Sequence, residues 1–234
     1  MFLRTFIVWA IGLPLTFVVF ILVSLIFMFD RSGSVVHSIG VLWCRIILAL
    51  SGVRVRVEGT ENIPKGGPVI FLSNHQGAFD IPALQGYIPV QFRWVAKKSL
   101  FKIPVIGWTM SLAGYIGIDR ENAAEAMRNI EEASGKIRGG TSVLVFPEGT
   151  RSDTGALLPF KRGAFVLVSK SAVPVVPVAI QGTRDIMKRG RYSIRPSEVR
   201  ISFGAPLEAK EQDGGDLRRA ARCAIEGLMK AQGV

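Results

Sequence analysis

The sequence predicts a single α/β domain with a mixed, mostly buried β-sheet flanked by helices, preceded by an N-terminal membrane-binding helical hairpin. Three observations carry that prediction. Residues 5–29 contain no charged side chain. From residue 53 onward, short runs rich in β-branched residues alternate with stretches of helical periodicity. Polar and charged clusters stand directly after several of those runs, at the strand ends where open α/β sheets bind ligands. The chain of 234 residues is 49% hydrophobic and long enough for one domain with a sizeable core. The hairpin is assigned to residues 1–51 and the α/β domain to residues 52–234.

Taking the elements in order, the uncharged run over 5–29 is long enough to cross a bilayer core of about 30 Å. A cleaved signal peptide would have an apolar region of about 7–15 residues followed by a small-residue cleavage site, and neither condition holds. Gly12 and Pro14 are placed to kink this helix, which leaves both a full span and entry into one leaflet open. A second apolar stretch, Ser34 to Ser51, carries His37 and Arg45 and suits a helix lying at the interface or packed on the first. His37 reads there as an interfacial helix residue without a catalytic part. Val53 to Glu58 alternates at period two, and Val69–Ser73, Phe92–Ala96, Gly114–Ile118, Ser142–Phe146, Val175–Ile180 and Val199–Phe203 read as further strands. A helix starts at Asp80 with Pro82 in its first turn. Asn122–Arg138 is the clearest helix, with Ala126, Ile130, Ala133 and Ile137 on one face and Gly139-Gly140 ending it, and Asp216–Lys230 forms a terminal helix. Pro174 and Pro177 point to an edge position or a bulge for the strand that contains them.

The net charge is +11, from 29 basic and 18 acidic residues, which signals a polyanionic partner. The apolar N-terminus selects an anionic membrane surface. Arg184, Lys188, Arg189, Arg191, Arg195 and Arg200 form a basic run, and each such residue near an anionic leaflet contributes about 1 kcal/mol. Nucleic acid is excluded as a partner by the lack of zinc-finger spacing, an aromatic RNA-binding signature or a basic helix with heptads. Cys44 and Cys223 lie far apart without metal-ligand spacing and read as buried thiols of a reducing compartment. No Gly-rich nucleotide loop and no metal-ligand cluster is present, so no resident cofactor or metal is expected.

The chemistry is concentrated in Asn74-His75-Gln76-Gly77-Ala78-Phe79-Asp80. Of the two histidines in the chain, His75 is the candidate for a group that gains and loses a proton near neutrality. Residues five apart on a helix are rotated by about 140°, so His75 and Asp80 meet only across a turn. Asn74 and Gly77 supply turn residues after a buried strand. Asp80 can then fix one imidazole nitrogen while the other accepts a proton from a substrate hydroxyl. The short pattern alone equally describes a capping Asp beside a loop His. A second block, Phe146-Pro147-Glu148-Gly149-Thr150-Arg151, follows a later apolar strand and can hold an anion. Lys97 and Lys161 are further phosphate candidates, with a surface-lysine role as the alternative for each. No G-x-S-x-G elbow is present, Ser73 and Ser152 lack a nucleophile's setting, and neither cysteine lies near the blocks.

Four blocks in chain order, Asn74 to Asp80, Gly114 to Arg120, Phe146 to Arg151 and Val173 to Ile180, resemble the glycerolipid acyltransferases. The likeness is greatest to the lysophosphatidic acid acyltransferases and covers roughly residues 53 to 207. It implies catalytic roles for His75 and Asp80 and substrate-binding roles for Arg120, Glu148, Gly149 and Arg151, to which the residue reading adds Thr150, Lys97 and Lys161 as substrate-binding candidates. The implied reaction takes an acyl group from acyl-CoA or from acyl carrier protein, as co-substrate, to the sn-2 hydroxyl of a lysophospholipid acceptor, giving phosphatidic acid. A thioester is already activated, so direct attack needs no enzyme nucleophile. Another lysolipid, such as an ornithine lysolipid, is the alternative acceptor. A thioester or phospholipid hydrolase and a non-catalytic membrane scaffold are the competing classes. The expected location is the membrane, with the catalytic domain on the cytoplasmic face.

Overall fold

The computed structural model describes residues 2–209 and 214–231. The N-terminal hairpin is made of α1 (Phe2–Phe27) and α2 (Ser34–Leu50). α1 runs through Pro14 without ending there, and Gly12 lets α2 pack closely: a Cβ at Gly12 would lie 3.2 Å from Ile47 Cδ1 of α2. Trp43 Nε1 of α2 donates to Thr16 Oγ1 of α1 at 3.1 Å. The hairpin does not stand clear of the rest of the chain. Near one end of α1, Trp9 Nε1 donates to Tyr192 O at 2.9 Å and Thr5 Oγ1 accepts from Ile194 N at 3.0 Å. Toward the other end, the Phe20 ring meets Trp108 at 5.8 Å, and Val23 is buried with Val36 and Ala113. α1 therefore lies along the domain with an apolar outward face.

Seven strands follow: β1 (Arg54–Glu58), β2 (Ile70–Ser73), β3 (Arg93–Lys97), β4 (Ile116–Ile118), β5 (Val143–Val145), β6 (Val175–Gln181) and β7 (Glu198–Phe203). They form one sheet in the order β1-β7-β6-β2-β5-β3-β4. Strands β6, β2, β5, β3 and β4 run parallel, β7 is antiparallel to β6, and β1 is parallel to β7. The helices of the domain are α3 (Asp80–Tyr87), α4 (Ile106–Leu112), α5 (Ala123–Arg138), α6 (Arg162–Ser171) and α7 (Gly214–Ala231). The period-two alternation of β2 sends Phe71 into a core shared with Leu84, Phe92, Val178 and Phe203. Ile70 and Leu72 enter a second core with Ile137, Leu167, Leu217 and Ile225. Both faces are thus covered, as a largely parallel sheet requires.

Three expectations need correction, and one pair of alternatives is decided. β6 is an interior strand, between β7 and β2, despite Pro177, so the edge position does not hold. The pairing tolerates the missing donor because Val178 faces Phe203 while Val175 bridges Leu207, so three steps on β6 oppose four on its neighbour. This is the bulge alternative, and Pro177 keeps its acceptor role by taking a hydrogen bond from Gly204 N at 2.8 Å. Cys44 is buried but Cys223 is exposed, because it lies off the Leu217, Ala221 and Ile225 stripe that α7 turns inward. His37 is not interfacial. It is buried against α3 and the start of β4, with Nδ1 3.3 Å from Gln85 Nε2 and 3.2 Å from Tyr115 Oη. Burial first, and the Arg93 charge second, lower its pKa to about 4. Finally, α4 and α6 were not expected as helices. The run Ala164-Phe165-Val166-Leu167-Val168 has no polar interruption to mark a helical period.

Candidate active site

The parallel strands bring their carboxyl ends to one edge of the sheet, and the sequence blocks meet there. His75 follows β2, Arg120 follows β4, Phe146 to Arg151 follows β5, and Thr183 follows β6. Asn74 fixes the exit of β2: its side chain donates to Ile180 O at 2.9 Å and accepts from Ile180 N at 2.8 Å, prolonging the pairing to β6.

The turn required between His75 and Asp80 is built around the Asp80 carboxylate, which is fully buried. Asp80 Oδ2 lies 2.6 Å from His75 Nδ1 and also accepts from Gln76 N at 2.6 Å and Gly77 N at 2.9 Å. Asp80 Oδ1 accepts from the Thr183 hydroxyl. With backbone N–H groups already donating to Oδ2, that oxygen can only be an acceptor. His75 Nδ1 is therefore the protonated nitrogen, and Nε2 carries the lone pair. The imidazole stacks on Phe146, with ring centroids 3.9 Å apart and planes 8° from parallel, which sets its second angle of orientation. No protein group hydrogen-bonds Nε2 among the described residues.

The second block holds the first in place. Glu148 is buried; its Oε1 accepts from His75 N at 2.8 Å and its Oε2 from Leu158 N at 2.8 Å. Ser152 N in turn donates to His75 O at 2.8 Å. Burial pushes the Glu148 carboxyl above its ordinary value, against the pull of the two N–H donors. Through both oxygens the carboxylate positions the His75 loop against the loop that carries Leu158.

The cationic candidates separate into two groups. Arg120 Nη1 donates to Gly149 O at 2.7 Å. Gly149 has φ 72°, and a Cβ there would lie 3.1 Å from Arg120 Nη1 and 3.5 Å from Lys161 Cγ, so Arg120, Gly149 and Lys161 form one cluster. Glycine is required by both the positive φ and the close approach. Thr150 and Arg151 are exposed, and their side chains make no hydrogen bond or ion pair. Lys97 is engaged elsewhere, since its Nζ pairs with Glu121 at 2.7 Å. Sequence reasoning missed Thr183 and the stacking role of Phe146. The only signal for Thr183 was a hydroxyl residue after Gly182 at the end of the last block.

Comparison with known proteins shows the family of the chain. Residues 54–181 match the family model described as Acyltransferase. The chain is 35% identical over 191 residues to a chloroplastic 1-acyl-sn-glycerol-3-phosphate acyltransferase of Brassica napus, covering 80% of this chain and 55% of that protein. It is 34% identical over 225 residues to a 1-acyl-sn-glycerol-3-phosphate acyltransferase of Chlamydomonas reinhardtii, covering 94% of this chain and 67% of that protein. The chain thus spans about half to two thirds of the length of these relatives. The crystal structure of the 1-acyl-sn-glycerophosphate (LPA) acyltransferase PlsC from Thermotoga maritima superposes with a TM-score of 0.84 at 29% identity, covering 100% of this chain and 96% of that one. The chain belongs to the acyltransferase family that includes the 1-acyl-sn-glycerol-3-phosphate acyltransferases.

Proposed function

We propose that this protein transfers a fatty acyl group from a thioester, acyl-CoA or acyl carrier protein, to the sn-2 hydroxyl of 1-acylglycerol 3-phosphate, giving phosphatidic acid. The observation that carries the reading is a buried Asp80 holding His75 with Nε2 unengaged, on the same strand edge as the cluster of Arg120, Gly149 and Lys161. His75 Nε2 takes the hydroxyl proton as the acceptor oxygen attacks the thioester carbonyl. The imidazolium is stabilised by Asp80 at 2.6 Å. Collapse of the tetrahedral intermediate breaks the carbon–sulfur bond, and the proton held on Nε2 returns to the departing thiolate. The acceptor phosphate is bound by the guanidinium of Arg120 and the ammonium of Lys161, with Arg151 at the rim.

Membrane attachment through the hairpin is supported by the one helix long and apolar enough to cross a bilayer, Phe2–Phe27. Because both ends of α1 touch the domain, its apolar outward face enters one leaflet. The catalytic edge then stays on the cytoplasmic side, where acyl thioesters are made. The deciding experiment offers purified protein in detergent one acyl-CoA and one acyl carrier protein thioester against lysophosphatidic acid, glycerol 3-phosphate, an ornithine lysolipid and a zwitterionic lysolipid. Acylation of lysophosphatidic acid above the others supports the assignment. Thioester loss that needs no acceptor would make the protein a hydrolase.

A further inference from the structure

A second opening adjoins the catalytic loop on the side of α7. It is a cleft of about 570 Å³ lined by Gln76, residues 154–157, Gln181, Gly182, Arg184, Asp185 and the C-terminal half of α7. Gln76 is the residue after the catalytic histidine, and its Nε2 donates to Gly155 O at 3.3 Å, so the cleft and His75 share one loop. Leu157 and Met229 give the walls an apolar component, and Arg184, Arg222 and Lys230 give them cations.

The charges are unequally committed. Arg222 is spent on the fold, pairing with Glu226 at 2.9 Å and donating to the carbonyls of Leu157 and Leu158. Arg184 donates to Thr154 O and stands 3.8 Å from Asp185, yet 42% of its side chain is exposed. Lys230 is exposed and makes no hydrogen bond or ion pair among the described residues. A wall with an unpaired ammonium and a partly exposed guanidinium over an apolar base suits a slender amphipathic chain that ends in phosphate. The cleft is lined by the loop after β6, by α7 and by residues 154–157 of the connection after β5, whereas the cluster of Arg120, Gly149 and Lys161 joins the loop after β4 to other residues of that same connection. The two sets of cations share no residue, so two anionic groups can be held separately.

Resting on the acyl-transfer reading, we propose that this cleft binds the phosphopantetheine arm of the acyl donor, with Lys230 and Arg184 engaging its phosphate. The donor and acceptor phosphates are then held by different side chains, Lys230 and Arg184 for one and Arg120 and Lys161 for the other. CoA and acyl carrier protein share the phosphopantetheine chemistry, and CoA adds further phosphates on its nucleotide.

The test measures steady-state kinetics of full-length protein in detergent with three thioesters of one acyl chain: acyl-CoA, acyl carrier protein and the phosphate-free acyl-pantetheine. The variants are Lys230→Glu, which removes no contact within the protein, and Arg184→Gln. KM for acyl-CoA is expected to rise about tenfold in each, the scale of one charge-assisted contact. KM for acyl-pantetheine and for the acceptor should not move. A parallel rise for acyl carrier protein places the pantetheine phosphate in the cleft, while a rise confined to acyl-CoA places only the nucleotide phosphates there and overturns the assignment of the arm's phosphate. Unchanged KM for both phosphate-bearing donors in folded Lys230→Glu, or a rise in acceptor KM instead, overturns the proposal while leaving the acyl-transfer reading intact. Absence of transfer from any thioester by the unaltered protein overturns both.

Discussion

Asp80→Asn tests the catalytic geometry most sharply, because the structure fixes which way the amide must turn. Oδ2 receives two backbone N–H groups, from Gln76 and Gly77, besides His75 Nδ1. An amide nitrogen placed there would face three donors, so the Asn carbonyl takes the Oδ2 position and the NH₂ faces the Thr183 hydroxyl, which can rotate to accept. The His75 tautomer is thereby kept, with Nε2 still the basic nitrogen. What is lost is the carboxylate's stabilisation of the imidazolium, the difference between a charged and a neutral hydrogen-bond acceptor. At about 1.5 to 3 kcal/mol for a bond to a charged group against about 1 for a neutral one, this predicts a fall in kcat of roughly 3- to 30-fold. Asp80→Ala, which frees Nδ1 and abandons three buried donors, should lose far more, on the order of the 10⁴ that a wrong tautomer costs a histidine base. The assay is thiol release from acyl-CoA at saturating acceptor, with far-ultraviolet circular dichroism and a melting curve to confirm folding. Equal losses for the two variants would refute the donor count as the factor that sets the tautomer. Normal turnover in either would remove Asp80 from the mechanism.

Three further predictions follow from the same contacts. His75→Ala should reduce kcat by about 10² to 10⁴ without altering membrane recovery or melting temperature, and near-normal turnover in folded protein would sink the base assignment. Arg120→Ala and Lys161→Ala should raise KM for lysophosphatidic acid by the equivalent of about 1.5 to 3 kcal/mol and leave acyl-CoA KM nearly unchanged, as read from matched titrations of the two substrates. His37 supplies a pH dependence: its pKa is lowered from 6.5 to about 4 on folding. The unfolded chain therefore binds this proton first, and the contribution to stability is whole above pH 6.5 and is lost as pH falls toward 4, at most on the order of 3 kcal/mol. Melting temperatures of the unaltered protein and of His37→Asn should converge across that window, and parallel curves would show that the hairpin contact is indifferent to His37 charge.

The parts of the site that were legible in the sequence are those whose geometry is local. His75 and Asp80 lie within one turn, and the turn residues Asn74 and Gly77, with a buried strand before them, were enough to place them together. Thr183 is 103 residues from Asp80, and only the placement of β6 beside β2 brings its hydroxyl to the carboxylate. The positioning contacts of Glu148 were hidden for a related reason. A carboxylate between Pro147 and Gly149 looks available to a substrate, yet its partners, the amides of His75 and Leu158, belong to loops that converge only once β2 and β5 pair. Backbone amides carry no side-chain signature, so a residue that serves them is indistinguishable in sequence from one that serves a ligand.

The same contacts explain why the two motifs are useful together. Glu148 and Ser152 hold the N–H and C=O of His75 from the second block, while Phe146 stacks on its ring. The block after β5 therefore sets the position of His75 and also that of Arg120, through the Gly149 carbonyl. A change at Glu148 should accordingly appear in kcat, through displacement of His75, rather than in acceptor KM alone. Glu148→Gln keeps one carbonyl acceptor but turns an NH₂ toward either His75 N or Leu158 N, leaving one backbone donor unpaired at a cost of about 1 to 3 kcal/mol. Pre-steady-state turnover that falls while acceptor KM holds steady would mark Glu148 as a positioning residue; the opposite pattern would return it to the substrate-binding role.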